Sequence, residues 1–373
     1  MEITAKIIKG IKYNPLFRET LKEFSADEFD INKRFSACLL KSNDSVFALS
    51  KWVSPKRTRS YPYERVYNTL IPNMMRITII PLIKDEGING DRDHLKWDTI
   101  SLMSLLNVYV IIGYYNDAIL HKTREGKITE QKFDCSHINE KIKELMSYHS
   151  SALHWNLKEA SNDNIAYLTN KSCQSYRDIG KKNNVLMHNF EYYERKSREL
   201  LNDTNSFKNT SRELSHKAQI REVSTLQPKE ILLSDTKASI TIKNFLGGEY
   251  HFTVDETKIE KDILFLIESK HSKNSILPSA SDIKDGLIKM MLYSNLENVE
   301  IDKINYKYKA VLQITSDKIN GFLSSEQNDE EIKIFYQNNI FTAQNIKTIE
   351  ILFAEANENN FIITFSSGSA NAS

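Results

Sequence analysis

Five consecutive apolar residues, Ile263 to Ile267, are preceded by Lys261-Asp262 and followed by Glu268-Ser269-Lys270. A run this short is too brief for a helix core and has the form of a central strand buried on both faces. Such a strand needs neighbours on either side, so the chain around it must form a sheet. Side chains alternate along a strand, which puts Glu268 and Lys270 on one side at its end while Ser269 points away.

With 373 residues, the chain exceeds the ~100–200 residues of one ordinary domain, which predicts two. The spacing of Leu16, Phe17, Leu21 and Phe24 predicts a helix in the first fifty residues. Residues 76–83 read as a strand, followed by an acidic loop with Gly87 and Gly90, a helix from Asp98 to Leu106 and a strand over 107–115. This order resembles a βαβ unit. Ile138, Ile142, Leu145, Met146, Leu153 and Leu157 recur at helical spacing, as do Leu186, Phe190, Tyr193, Leu200 and Leu201. The polar stretch from Asn202 marks a linker over 202–235. Strands are then expected at Ile240 to Val254, Ile263 to Lys270, Tyr306 to Thr315, Ile349 to Phe353 and Phe361 to Phe365. A helix from Asp282 to Leu296 is capped at Ser281-Asp282, with Ile283, Leu287, Met290 and Met291 inward and Lys284 and Lys289 on a solvated face or towards a polyanion. The expected fold class is α/β (α+β): a mixed helical part over 1–201, the linker, and a mixed central sheet flanked by helices over 236–373.

Composition narrows the class. Hydrophobic residues make up 40% of the chain, which supports real cores and excludes global disorder. Fifty basic residues face 49 acidic ones, so any attraction to nucleic acid must come from local patches. Cys38, Cys135 and Cys173 have no CxxC spacing, which points to reduced thiols rather than a disulfide framework or structural zinc. The longest apolar run, Val108 to Tyr115, is far short of the ~20 residues of a membrane helix, and the first residues lack the apolar stretch of a signal peptide. The expected location is therefore the cytoplasm. No P-loop, Rossmann glycine pattern, HExxH or GxSxG occurs, and His94, His149 and His154 lack metal spacing.

The chemistry-bearing residues cluster at the strand end. Asp255 lies thirteen positions before Glu268, enough for the end of a preceding strand, a turn through Thr257 to Lys261 and the return strand. Such a hairpin brings Asp255 beside Glu268. Two converging carboxylates suit Mg²⁺, with Mn²⁺ as a substitute, and Lys270 would orient or help deprotonate a water and add positive charge as negative charge develops. Glu256, Asp262 and Glu249 stand as alternatives to Asp255, and His271 could contact a phosphate. The other acidic cluster, Asp85, Glu86, Asp91, Asp93 and Asp98, reads as loop and helix-capping acids. Lys56, Arg57, Arg59 and Arg65, interleaved with Trp52, Tyr61, Tyr63 and Tyr67, form the strongest basic and aromatic cluster and a candidate DNA-contacting segment.

Asp255 followed by Glu268-Ser269-Lys270 resembles the PD-(D/E)XK nuclease superfamily over roughly residues 236–300, with Val254 standing where a proline often precedes the first acid. In size and layout the chain resembles type II restriction endonucleases. The resemblance implies a hydrolase of a restriction system that cuts double-stranded DNA sequence-specifically with Mg²⁺. It assigns Asp255 and Glu268 to the metal and Lys270 to the attacking water. It further implies a homodimer and a functional pairing with a DNA methyltransferase. The alternatives are a nuclease of this type acting on modified, branched or damaged DNA, and a non-catalytic DNA-binding regulator.

Overall fold

The computed structural model describes residues 1–27, 29–42, 45–56, 62–200 and 238–368, with residues 196–200 as backbone only. The expected linker, 202–235, lies outside these residues. In chain order the elements are β1 (Glu2–Ile7), β2 (Lys22–Ser25), β3 (Ala37–Ser42), β4 (Ser45–Lys51), α1 (Pro62–Thr69), β5 (Met75–Pro81), β6 (Ile83–Asp85), β7 (Arg92–His94), α2 (Trp97–Leu105), β8 (Tyr109–Gly113), β9 (Tyr115–Leu120), β10 (Ile128–Phe133), α3 (Cys135–Met146), α4 (Ala152–Glu159), α5 (Asn162–Asn183) and α6 (Glu191–Leu200). Next come β11 (Ala238–Asn244), β12 (Glu249–Val254), β13 (Glu256–Glu260), β14 (Ile263–Ser272), α7 (Ala280–Tyr293), β15 (Glu297–Ile301), β16 (Ile304–Asn305), β17 (Lys307–Ser316), β18 (Phe322–Ser324), α8 (Asp329–Gln337), α9 (Ala343–Asn359) and β19 (Ile362–Ser367). The fold is mixed α/β. No helix among the described residues is long and apolar enough to cross a membrane.

The chain forms two compact units, Thr20–Ala218 and a second made of Met1–Glu19 with Gln219–Ser373. The first nineteen residues, expected with the N-terminal part, thus belong with the C-terminal one. The cause is strand pairing: β1 runs parallel to β11 and antiparallel to β15, and its alternating Ile3, Ala5 and Ile7 are buried.

In the unit Thr20–Ala218 the main sheet has the order β2-β3-β4-β5-β8. β5 and β8 are parallel and joined through α2, as the strand, helix, strand reading predicts. β8 is an edge strand, and α4 satisfies its open backbone. Asn156 accepts from the Val110 N–H at 2.7 Å and donates to the Val108 carbonyl at 2.9 Å, while the Trp155 indole donates to the Val110 carbonyl at 2.7 Å. A side-chain row thus does the work of a further strand. The helix spacing read through Leu157 resolves into α3 and α4, and Leu186 lies outside α6, 71% exposed.

The other unit holds two five-stranded sheets, β12-β11-β1-β15-β16 and β13-β14-β17-β19-β18. β14, β17 and β19 are mutually parallel, with α7 connecting the first pair. Ser279, rather than Ser281-Asp282, caps α7 by accepting from the Asp282 N–H. Two sequence expectations fail here. Ile349 to Phe353, expected as a strand, lies within α9, where a Thr342–Asn345 capping box starts the helix and Ile349, Leu352 and Ala356 share its buried face. No helix forms around Leu16 and Phe17. Instead Glu355 of α9 accepts from the Leu16 and Phe17 N–H groups at 3.0 and 2.8 Å and from the Tyr13 hydroxyl at 2.7 Å, which holds this stretch irregular.

Candidate active site

The chain passes from one sheet of this unit to the other at Asp255, a bend between β12 and β13. β13 and β14 then form a hairpin whose two turn residues, Lys261 and Asp262, have φ of 47° and 65°, as a two-residue I′-type connection requires. The turn is therefore tighter than the expected Thr257 to Lys261, most of which is strand. Glu256 pairs with Ile267 and Thr257 with Leu266, so one further step of this register sets Asp255 opposite Glu268. Asp255 Oδ2 accepts the Ser269 backbone N–H at 3.0 Å. The other acids considered stand elsewhere: Glu256 is paired with Ile267 on the opposite face from Glu268, Asp262 is in the turn, and Glu249 pairs with Lys243.

β14 is internal to its sheet, but only one face is fully buried. Leu264, Leu266 and Glu268 are covered, whereas Ile263, Phe265 and Ile267 are partly exposed. Glu268 and Lys270 share the covered face, as alternation predicts. The Glu268 side chain is 2% exposed, and both its oxygens are engaged: Oε1 with Lys270 Nζ at 3.0 Å and Oε2 with Lys289 Nζ at 2.7 Å. Lys270 Nζ also reaches Asp285 Oδ2 at 3.0 Å. Lys289 and Asp285 come from α7, which meets β14 at Gly286. A Cβ at Gly286 would stand 2.7 Å from Leu312 Cδ1 and 3.2 Å from Lys270 Cε, so the absent side chain leaves room for the lysine stem.

Electrostatics follow from this packing. Burial pushes the Glu268 carboxyl above its ordinary range; Lys289 and Lys270 oppose the shift and Asp255 adds to it. Burial pulls the Lys270 ammonium down, but Glu268 and Asp285 outweigh it and the net direction is up. Lys289 behaves alike, with Glu268 and Asp255 overcoming burial. The expectation that Lys284 and Lys289 line a solvated face is therefore corrected. Lys284 is buried and paired with Glu19, and Lys289 is paired with Glu268. A lone charge inside the apolar stretch Leu287-Ile288-Lys289-Met290-Met291 was the available signal for Lys289, since such a charge needs a partner.

No group of three or more His, Cys, Asp or Glu side chains suited to a metal occurs among the described residues. Asp255 and Glu268 nonetheless fit a hard divalent ion of the Mg²⁺ kind, which takes one or two carboxylates and fills its shell with water and phosphate oxygen. Three carboxylates, Asp255, Glu268 and Asp285, act on two ammonium groups here, and Glu268 is pushed up despite both lysines. Burial is the largest cause of the upward push on Glu268, so the two lysines do not fully offset the cost of its buried charge.

The other sequence candidates separate. Lys56 is exposed; Arg57, Arg59 and Tyr61 lie outside the described residues. Arg65 is half-buried and donates to the Lys51 carbonyl at 2.7 Å, and burial lowers its pKa. Trp52, Tyr63 and Tyr67 are buried in the core and offer no ring to a base. In the acidic cluster, Asp85 accepts from the Gly87 N–H and from His188, while Glu86 pairs with Lys84 and Lys127. His271 points its Nδ1 at Thr315 Oγ1, 3.0 Å away. Cys38, Cys135 and Cys173 are free thiols. In comparisons with known proteins, no family model, no curated protein and no solved structure matches the chain.

Proposed function

We propose that the chain is a cytoplasmic, Mg²⁺-dependent endodeoxyribonuclease of the PD-(D/E)XK type, cutting double-stranded DNA sequence-specifically as a type II-like restriction enzyme. The observation that carries the reading is the register of the β13–β14 hairpin, which sets Asp255 opposite Glu268 while Glu268 and Lys270 share one covered face. Asp255 and Glu268 would hold the ion. When bound, it supplies positive charge at the phosphate and a more acidic water. Lys270 is held protonated by its two carboxylate neighbours, so its part is that of a fixed cation that orients the attacking water and balances charge developing on the phosphate. Asp285 orients Lys270, and α7 keeps bulk water from the Glu268 carboxylate. Lys56 is the described member of the basic segment left exposed for a phosphate contact. Action on a two-fold symmetric site would be by a homodimer, with a DNA methyltransferase protecting the host's own copies.

The test is cleavage of plain duplex, methylated duplex and four-way junction DNA in Mg²⁺ and Mn²⁺, with Glu268→Gln as the control. Sequence-specific cutting of plain duplex, lost in Glu268→Gln, is the expected result. Cutting of only the methylated or branched substrate moves the target to modified or branched DNA. Specific binding with no cleavage of any substrate in either ion assigns the chain to a non-catalytic regulator.

A further inference from the structure

We infer that Lys289 is a built-in counter-ion that occupies the cation's place on Glu268 and is displaced when a divalent ion binds. The inference rests on the nuclease reading for the ion's ligands, Asp255 and Glu268. Its basis is the unequal way in which the two lysines are held.

Glu268 has two oxygens and both carry an ammonium. A small divalent ion needs an oxygen lone pair at ~2.0–2.1 Å, so it cannot share the same approach with an ammonium hydrogen-bonded there. An ion that takes either of the two occupied approaches therefore has to displace the ammonium there, and the two lysines are not held equally. Lys270 is tied at its head to a second carboxylate, Asp285, and its stem lies against Gly286 on α7. Lys289 is bound differently. Among the described residues Glu268 is the only hydrogen-bonding partner of its ammonium, although Asp255 and Asp285 also attract it. Its charge therefore sits in the combined field of the three carboxylates, where a dication is attracted more strongly than a single ammonium. A lysine side chain is flexible along its four-carbon stem, so the head can swing away while the helix stays in place. Without the ion, Lys289 completes the compensation of a buried carboxylate whose other ammonium, Lys270, is shared with Asp285. Displaced by the ion, it becomes a mobile cation beside the site, suited to an anionic phosphate.

The experiment uses the full chain and Ca²⁺, whose binding is read without cleavage. Calorimetric titration compares wild type, Lys289→Met, Lys289→Arg and Asp255→Asn, and amine labelling with mass spectrometry follows Lys289 and Lys270 in wild type with and without Ca²⁺. In Lys289→Met the Ca²⁺ affinity should rise about tenfold because the competitor is gone, whereas Lys289→Arg should stay near wild type. Labelling of Lys289 should increase severalfold on Ca²⁺ addition while Lys270 stays protected. If Lys289→Met does not fold, the labelling in wild type decides alone. Unchanged Ca²⁺ affinity in a folded Lys289→Met, or equal protection of Lys289 with and without saturating Ca²⁺, overturns the exchange. If Asp255→Asn is weakened at the same time, the ion site itself stands. Wild-type Ca²⁺ affinity in Asp255→Asn removes the ion site and the exchange together.

Discussion

Asp255 Oδ2 accepts the Ser269 backbone N–H at 3.0 Å, so the acid at the start of β13 is fastened to β14 one residue past Glu268. The bond fixes where the carboxylate sits and leaves its charge for other work. Asp255→Asn retains an acceptor for this N–H and loses the charge; Asp255→Ala loses both. Both variants should lose cleavage, and only Asp255→Ala should also lose stability, by ~1 kcal/mol for one hydrogen bond. Plasmid cleavage and thermal unfolding measure the two effects. Glu256→Ala and Asp262→Ala should cut normally, and an inactive one beside an active Asp255→Ala would show that the first acid is misassigned.

Lys270 is flanked by Glu268 and Asp285 at 3.0 Å each, which raises its affinity for the proton. A lysine held in this way remains a cation through neutral pH. Single-turnover cleavage should therefore show no loss of a lysine proton below about pH 10, the ordinary lysine value. Lys270→Ala should slow the chemical step while leaving Ca²⁺ affinity unreduced, whereas Glu268→Gln should weaken Ca²⁺ binding as well as stop cleavage. An inflection near neutral pH that disappears in Lys270→Ala would make the lysine a base instead.

What the sequence made legible is local. The apolar run, its Glu268-Ser269-Lys270 end and the inward face of α7 follow from spacing alone, and the structure has them as β14 and α7. The failures depend on distant partners or on a local period that a short window cuts off. Leu16 and Phe17 have helical spacing, but their N–H groups are taken by Glu355, more than three hundred residues away. Ile349 to Phe353 is apolar enough for a strand when read in isolation, and only the cap at Thr342 and the continuing 3.6-residue period reveal a 17-residue helix. The charge of Lys289 reads as a surface residue until Glu268 is folded under it.

Glu86 gives a pH dependence in the unit Thr20–Ala218. Burial would push its carboxyl up, but hydrogen bonds from Lys127 and Lys84 outweigh burial and hold it at about 2, against an ordinary 4.5. A depressed folded-state pKa contributes stability above the unfolded value, and that contribution is lost as pH falls through the folded one. The window therefore runs from about pH 5 down to 2, and its full size is on the order of 3 kcal/mol. Thermal unfolding of wild type and Glu86→Gln from pH 7 to pH 3 checks it. The two should differ most at pH 7 and converge on acidification, and a constant difference would assign the effect to packing.

Gly286 tests whether α7 shapes the site or only covers it. Alanine is the better helix former by ~1 kcal/mol, so on propensity alone Gly286→Ala should stabilise the chain. The added Cβ, however, meets Leu312 Cδ1 at 2.7 Å and Lys270 Cε at 3.2 Å, and overpacking of this kind costs roughly 1–3 kcal/mol. The net is a destabilisation of roughly 0–2 kcal/mol, so the unfolding temperature should stay level or fall modestly. Lys270 must shift to admit the methyl group, which disturbs its contacts with Glu268 and Asp285. A misplacement of ~1 Å at a catalytic group costs on the order of a hundredfold in rate, so the few tenths of an ångström that Lys270 must give here should cost a few-fold. Gly286→Ala should thus fold and bind DNA and Ca²⁺ near wild-type levels while cutting a few-fold more slowly in single-turnover assays. Wild-type cleavage in a folded Gly286→Ala would show that α7 only covers the site and that the close fit at Gly286 does not set the position of Lys270.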